Sequence, residues 1–448
     1  MSNLFGTSGV RGIYLEKVSP DLVFNLGRAL ATHLDNSGKV AVGRDPRTSS
    51  VVLEGYFSAG LISCGCNVKK LGLVPTPAVS FAAREFGTDA GAMITASHNP
   101  PEYNGIKFFN SDGMAYTPAM EAEIERIYSR GIFEPTPWDG VGNVETAGIL
   151  EEYINKISDM IKLDRKFKVA VDCGNGATSA VTPYLLRRLG CEVVAINSQP
   201  DGTFPGHPPE PVAENLRDLC EVVRSVKADL GLAHDGDGDR VLAVDEMGRV
   251  VPGDELLASM GAYAVKNFGG VVVTTVDASK VVDEQVTSAD GKVVRTRVGD
   301  VSVAQKMKTV GAKFGGEPSG ALIWGGVHLC PDGPLIGAKI LEMVAEMNKP
   351  LSKIKDEIPH YPVVRSKIAC PNKEKPKVME VVKERFPSRF EGVSEVLSMD
   401  GLRLEFEDGS WVLIRPSGTE PYIRITAEAD NQEKAELLVD NVKKILPR

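Results

Sequence analysis

The sequence predicts an α/β protein built in several layers and closed by a smaller α+β unit. Three observations predict it. Short β-branched runs alternate with helix-length amphipathic stretches through roughly the first four fifths of the chain, the pattern of helices packed on sheets. Beyond about residue 376 that alternation gives way to closely spaced short strands and one last helix. The length of 448 residues, at roughly 150 per domain, leaves room for about three separate cores.

In chain order, the runs at 40–43, 91–95, 168–172, 229–233, 271–276 and 293–296 are apolar and short enough to be strands. Between them 49–63, 177–189, 255–267 and 301–309 read as helices, several entered by a Ser, Thr or Asp suited to capping the first turn. Short strands at 312–314 and 321–324 flank a Gly-rich loop. Composition breaks near 135–148 and 248–253 read as boundaries, and the Pro- and charge-rich stretch 360–376 as a third. After it, 395–398, 402–406, 411–415 and 422–428 read as strands joined by turns, and 432–446 as a closing helix. Four domains are therefore expected, at 1–150, 151–252, 253–366 and 367–448, the first three with similar layering.

Composition excludes several classes. A hydrophobic share of 42% with 25% charged residues is ordinary for globular proteins and unlike disordered or fibrous chains. The formal charge of −9 argues against a broad nucleic-acid footprint, so an anionic ligand must be met by local pockets. No apolar run reaches the 18 or so residues of a membrane span, and the first residues lack a secretory pattern, so a cytoplasmic address is expected. The 7 Cys form no C-x-x-C pair, so neither a disulfide framework nor a zinc ribbon is legible.

Four loops carry chemistry. The stretch 93–107 follows an apolar strand and holds Ser97, His98 and Lys107 at the edge where open α/β sheets bind ligands. No G-x-S-x-G elbow surrounds Ser97, so hydrolase-type activation is unsupported; an incidental turn is the competing reading. In the loop 234–240, Asp235, Asp237 and Asp239 alternate with glycines, and a hard cation such as Mg²⁺ would relieve their repulsion. A calcium hand competes, with Glu246 at its twelfth position, but Arg240 stands where that template demands Gly; a solvated acidic turn also stays open. Glu317 and Ser319, on the Gly-bounded loop 315–320, suit hydrogen bonds to sugar hydroxyls, as a plain turn also would place them. In the loop 415–424, Arg415, Ser417, Gly418, Thr419 and Arg424 offer guanidinium, hydroxyl and backbone donors able to cradle a phosphate.

Together these loops resemble one family. FGTSGVRG at 5–12, TASHNP at 95–100, DGDGDR at 235–240, GEPSG at 316–320 and RPSGTEP at 415–421 are similar, in order, to the motifs of the α-D-phosphohexomutases. The resemblance implies a four-domain, heart-shaped molecule with one loop per domain at a central cleft, and reversible movement of a phosphoryl group between O1 and O6 of a hexose. It implies that Ser97 carries the phosphoryl group and, with Asp235, Asp237 and Asp239, binds one Mg²⁺ per chain. Glu317 and Ser319 would read sugar hydroxyls, and Arg415, Ser417, Gly418 and Thr419 would clamp the non-reacting phosphate. Arg11, His98 and Lys107 would surround the phosphoserine, Lys107 as proton carrier, while the roles of Arg240 and Arg424 are left open. A hexose 1,6-bisphosphate is the implied activator and intermediate.

Two departures bear on specificity. Ala321 follows GEPSG where bacterial phosphomanno/phosphoglucomutases usually carry His, and Arg297-Val-Gly-Asp300 stands where they tend to carry another. That string is similar to the phosphoglucosamine mutase branch, and Trp324, His328 and the CPDG at 330–333 most resemble its archaeal members. His328 is the candidate to replace the missing base, against the plainer reading of a structural histidine. The expected reaction interconverts glucosamine 6-phosphate and glucosamine 1-phosphate, on a small hexosamine phosphate, with no nucleic-acid or membrane partner and a homo-oligomer left open. A phosphomannomutase or phosphoglucomutase of the same fold is the near alternative; a nonenzymatic calcium- or phosphosugar-binding protein is the remote one.

Overall fold

A computed structural model describes residues 4–6, 9–418 and 421–446. They form two compact units: one runs to Leu256 and takes back Ser319–Lys355, the other holds Leu257–Pro318 and the chain from Asp356 onward.

The first unit contains two α/β layers. Its larger sheet has the strand order Val10–Ile13, Tyr103–Asn110, Ala90–Ile94, Lys39–Arg44, Asn67–Leu73, Val144–Thr146. Ala90–Ile94 is buried throughout, as a strand covered on both faces must be, and it reads as an unbroken apolar run. It runs parallel to Lys39–Arg44 but antiparallel to Tyr103–Asn110, so the chain turns back at its C-terminal end and sets Lys107 opposite Met93. Helices Pro20–His33 and Ser50–Ser63 cover the sheet with Leu26, Leu30, Leu53 and Phe57, all fully buried.

The smaller sheet has the order Val241–Asp245, Leu230–His234, Lys168–Asp172, Glu192–Ile196. Its first pair is an antiparallel hairpin with Val241 opposite His234, so residues 235–240 are its turn. A calcium hand needs flanking helices, and that reading falls. Glu246, the twelfth position of that template, accepts instead from the Ser352 amide at 3.2 Å. The helix expected over 177–189 is broken into a 3₁₀ turn, Ala177–Ala180, and a helix, Thr182–Arg188. Pro183 explains the break, since it lacks an N–H and restricts the residue before it.

In the second unit, Lys292–Thr296, Val271–Thr275 and Phe314–Gly316 run parallel, with helices Lys280–Ser288 and Asp300–Val310 between them in the chain. The C-terminal part is a five-stranded antiparallel sheet in the order Val363–Ala369, Tyr422–Glu428, Trp411–Pro416, Leu402–Phe406, Val393–Leu397, with helix Gln432–Ile445 packed on it. Leu404, Val412, Ile414 and Ile425 from the strands meet Val439 and Val442 from the helix in its core. The α/β class with a closing α+β layer is the class observed. One expectation needs correction: 360–376 is not a bare boundary, because Val363–Ala369 pairs along its whole length with Tyr422–Glu428. An edge strand half open to water carries little apolar signal, and the flanking prolines obscured it.

Candidate active site

Ser97 sits just past the buried strand Ala90–Ile94, with backbone φ of 52°, in the left-handed region. Non-Gly residues adopt that conformation only where surrounding contacts hold it. Its amide donates to Thr95 Oγ1 at 2.8 Å, and its hydroxyl donates to Asp235 Oδ2 at 2.7 Å. The serine loop and the acidic turn therefore meet directly. Gly236 permits the approach, because a Cβ there would lie 2.7 Å from the Ser97 carbonyl oxygen.

Asp235, Asp237 and Asp239 are all buried, with one carboxylate oxygen of each lying within 4.8 Å of the other two. Lys107 donates to Asp237 Oδ2 at 2.9 Å and Asp239 Oδ2 at 2.7 Å, and the Thr76 hydroxyl to Asp237 Oδ2 at 2.5 Å. Burial works against charge on Asp237, but Lys107 and Thr76 overcome it and hold this carboxyl below the usual range. For Asp235, burial first and then the charges of Asp239 and Asp237 push the carboxyl well above that range. Lys107 is the ammonium bonded to the triad, and Arg240 stands further off, beside Asp239. Asp237 Oδ1 and Asp239 Oδ1 are buried with no hydrogen-bond partner among the described residues, a costly state unless another group takes them. Converging carboxylate oxygens with unused lone pairs beside a serine hydroxyl are the donor set of a hard divalent cation, so the residues fit Mg²⁺.

Around this centre, Arg11 donates to Asn99 Oδ1 at 2.9 Å, and His98 Nδ1 lies 3.4 Å from Ser97 Oγ. Desolvation, with the charges of Arg240 and Arg11, pushes His98 down to about 2, so its imidazole is neutral at physiological pH. Arg240 lies 4.0 Å from Asp239 Oδ1 and 3.7 Å from Glu210. Ser319 is exposed, and the Gly320 carbonyl after it accepts from the Val241 amide at 3.1 Å, tying the end of that loop to the acidic hairpin.

In the second unit, Glu317 accepts from the Gly299 amide at 2.8 Å, inside the Arg297-Val-Gly-Asp300 string. Arg415 pairs directly across the sheet with Arg424, and Arg424 with Lys367. Like charges directly opposite one another are unfavourable in a sheet, and a bound anion would ease that repulsion. Asp400 offsets part of it, 3.7 Å from Arg415. Ser417 is buried, with its carbonyl held by Lys375 Nζ at 2.6 Å, and Gly418 beside it is exposed. Thr419 lies outside the described residues.

His328 is buried, with Nδ1 3.0 Å from Ser80 Oγ and Nε2 2.9 Å from Asp332 Oδ2. With both ring nitrogens engaged, this geometry is that of the plainer reading, a structural histidine. Sequence reading also passed over Arg47, Thr76 and Lys367. Their signal lies in contacts between segments remote in the chain, which spacing along the chain does not record.

A hydroxyl aimed at a buried carboxylate triad, on a layered α/β fold with a separate cationic sheet, defines an enzyme of phosphoryl transfer. Phosphoglucomutase/phosphomannomutase models match in order: alpha/beta/alpha domain I at residues 2–134, domain II at 151–248, domain III at 252–361 and the C-terminal domain at 366–445. The chain belongs to this family, the α-D-phosphohexomutases, which are isomerases. A relative from Methanothermobacter thermautotrophicus named "Probable phosphoglucosamine mutase" is 48% identical over 440 residues, covering 98% of this chain and 97% of its own. The crystal structure of a family protein from Burkholderia thailandensis matches with a TM-score of 0.89 at 28% identity, over 99% of this chain and 97% of that one. The N-acetylphosphoglucosamine mutase of Aspergillus fumigatus, solved with GlcNAc-6P and magnesium, shares the fold with a TM-score of 0.60 at 15% identity, over 98% and 94% of the two chains.

Proposed function

We propose that this chain is a cytoplasmic phosphoglucosamine mutase that interconverts glucosamine 6-phosphate and glucosamine 1-phosphate through phosphorylated Ser97 and a bound 1,6-bisphosphate. The observation that carries the reading is the 2.7 Å contact between Ser97 Oγ and Asp235 within a buried carboxylate triad. Its substrate assignment is supported by relatives named for that activity at 44% to 48% identity. The division of the chain into four domains near 150, 252 and 366 is supported by the ranges over which the family models match.

In one turnover the bond from phosphorus to Ser97 Oγ breaks as a bond to the free sugar hydroxyl forms, and the proton of that hydroxyl passes, by way of Lys107, to the Ser97 oxygen that is released. The bisphosphate then returns its other phosphoryl group to Ser97. One Mg²⁺ held by Ser97, Asp235, Asp237 and Asp239 would supply neutralisation of phosphoryl oxygen charge. Lys107, bonded to Asp237 and Asp239, is the proton carrier, giving a proton to the oxygen that phosphorus leaves and taking one from the hydroxyl that it joins, and Arg11 donates to Asn99 in the serine loop. His98, neutral, serves as a hydrogen-bond partner of Ser97. Glu317 and Ser319 read ring hydroxyls. Arg415, Ser417, Gly418 and Thr419, with Arg424 beside them, hold the phosphate that does not react, with forked donors suited to phosphate.

The test is a coupled assay on glucosamine, glucose and mannose phosphates, with intact mass and site mapping after treatment with glucose 1,6-bisphosphate. Highest kcat/KM on glucosamine phosphate and a phosphate on Ser97, both lost in Ser97→Ala, are the expected results. Preference for mannose or glucose phosphate would move the assignment to the sister activity, and full turnover by Ser97→Ala would end the phosphoserine reading.

A further inference from the structure

We infer that Arg47 holds the phosphoacceptor loop in its reactive shape, a positioning residue that acts through Ser97 without touching substrate. The inference rests on the reading of Ser97 as the phosphoryl acceptor. Arg47 lies in the turn between strand Lys39–Arg44 and helix Ser50–Ser63, and this strand is the parallel neighbour of Ala90–Ile94, which leads into the serine loop. The turn is therefore delivered to the same sheet edge as Ser97.

A guanidinium group has five N–H donors in a rigid fork, and every one here is occupied. Nε donates to Asp45 Oδ2 at 2.9 Å. Nη2 donates to the carbonyls of Ser97 at 2.8 Å and Asn99 at 2.6 Å, and Nη1 to those of Pro100 at 2.5 Å and Tyr103 at 2.9 Å. The Phe204 ring covers one face, with its centroid 5.0 Å away. Wholly buried and with no donor to spare, Arg47 is not a phosphate ligand. Its cation instead gathers four carbonyl oxygens of the loop, whose dipoles would repel one another around an empty centre.

The consequence falls on Ser97. Asp45 Oδ2 also accepts from the Thr95 hydroxyl at 2.7 Å, and Thr95 Oγ1 accepts from the Ser97 amide at 2.8 Å. Both ends of the Ser97 residue are thereby tied to the Asp45–Arg47 pair, its N–H through Thr95 and its C=O directly. The left-handed φ of 52° is over-determined, and the hydroxyl is left as the part free to react. Lysine cannot substitute, since a single ammonium with three donors cannot span four carbonyls and a carboxylate.

The experiment compares the full chain with Arg47→Lys and Arg47→Ala. It measures kcat, KM, and the single-turnover rate of phosphorylation by glucose 1,6-bisphosphate, corrected for the folded fraction by circular dichroism. Expected is a fall in kcat and phosphorylation rate of about 10- to 100-fold, because small misplacements of reacting groups cost that much, with KM within about threefold. Guanidinium ion, and not methylammonium, should restore part of the rate of Arg47→Ala. Should that variant fail to fold, Arg47→Lys carries the test alone. A wild-type rate in folded Arg47→Lys, or a loss matching only its unfolded fraction, would overturn the positioning role. Absence of phosphate at Ser97 in the wild-type chain would instead overturn the reading beneath it, and the two failures are distinguishable by mapping the wild-type protein first.

Discussion

At the scale of single residues, two histidines show how partners decide what a side chain does. His328 spends both ring nitrogens on Ser80 and Asp332, so His328→Gln should lower stability by about 1–3 kcal/mol and leave kcat per folded molecule unchanged. Denaturant unfolding beside a turnover assay checks this, and a large loss of kcat at intact stability would return the residue to the chemistry. His207 Nε2 lies 3.2 Å from Asp172 Oδ2. Burial opposes its protonation, but the hydrogen bond to Asp172 and that carboxylate's charge prevail and raise its pKa. A group whose folded pKa is raised stabilises the fold while protonated, so the contribution is full below about pH 6.5 and fades as pH climbs through the raised value. The Tm gap between wild type and His207→Gln should accordingly be wider at pH 6 than at pH 9. Equal gaps would show that the pair does not titrate between them.

Among elements, close contact between helices is the exacting feature. Pro20–His33 and Ser50–Ser63 approach so tightly that a Cβ at Gly60 would lie 2.1 Å from the Phe24 carbonyl oxygen. Backbone cannot yield as a flexible side chain does. Gly60→Ala should therefore cost about 1–3 kcal/mol and lower the Tm of that unit by about 2–10 °C in differential scanning calorimetry. No change in Tm would mean that the helices part without penalty. Such a contact is invisible along the chain, where Gly60 reads as a weak point in an apolar helix.

For the whole molecule, the charge that matters most is local and not the net −9. The triad of Asp235, Asp237 and Asp239 buries three carboxylates together, with Lys107 bonded to two of them. Mg²⁺ should raise the Tm of the first unit, by mass action on a site that the unfolded chain lacks, with about 2.7 kcal/mol gained at a hundredfold excess over Kd. Chelation should abolish turnover and reverse the shift, and Asp237→Asn should lose both responses while remaining folded. An unchanged Tm in wild type on adding Mg²⁺ would remove the metal assignment independently of any activity measurement.

Strand periodicity, turn composition and local motif determined, from the sequence by itself, the layered α/β class, the closing antiparallel unit, the serine loop and the acidic hairpin. These are properties of neighbouring residues, and short-range sterics and burial write them directly into residue order. The edge strand Val363–Ala369 escaped because, half open to water at the margin of its sheet, it carries little apolar signal. Only the tertiary structure decided that Ser97 points at Asp235, that Lys107 bridges two carboxylates, that His328 is walled in, and that Arg47 reaches four carbonyls. Hydrogen bonds and charge pairs depend on distance in space, and residues 50 to 248 positions apart come within 3.0 Å only once the sheets have set which loop edges coincide.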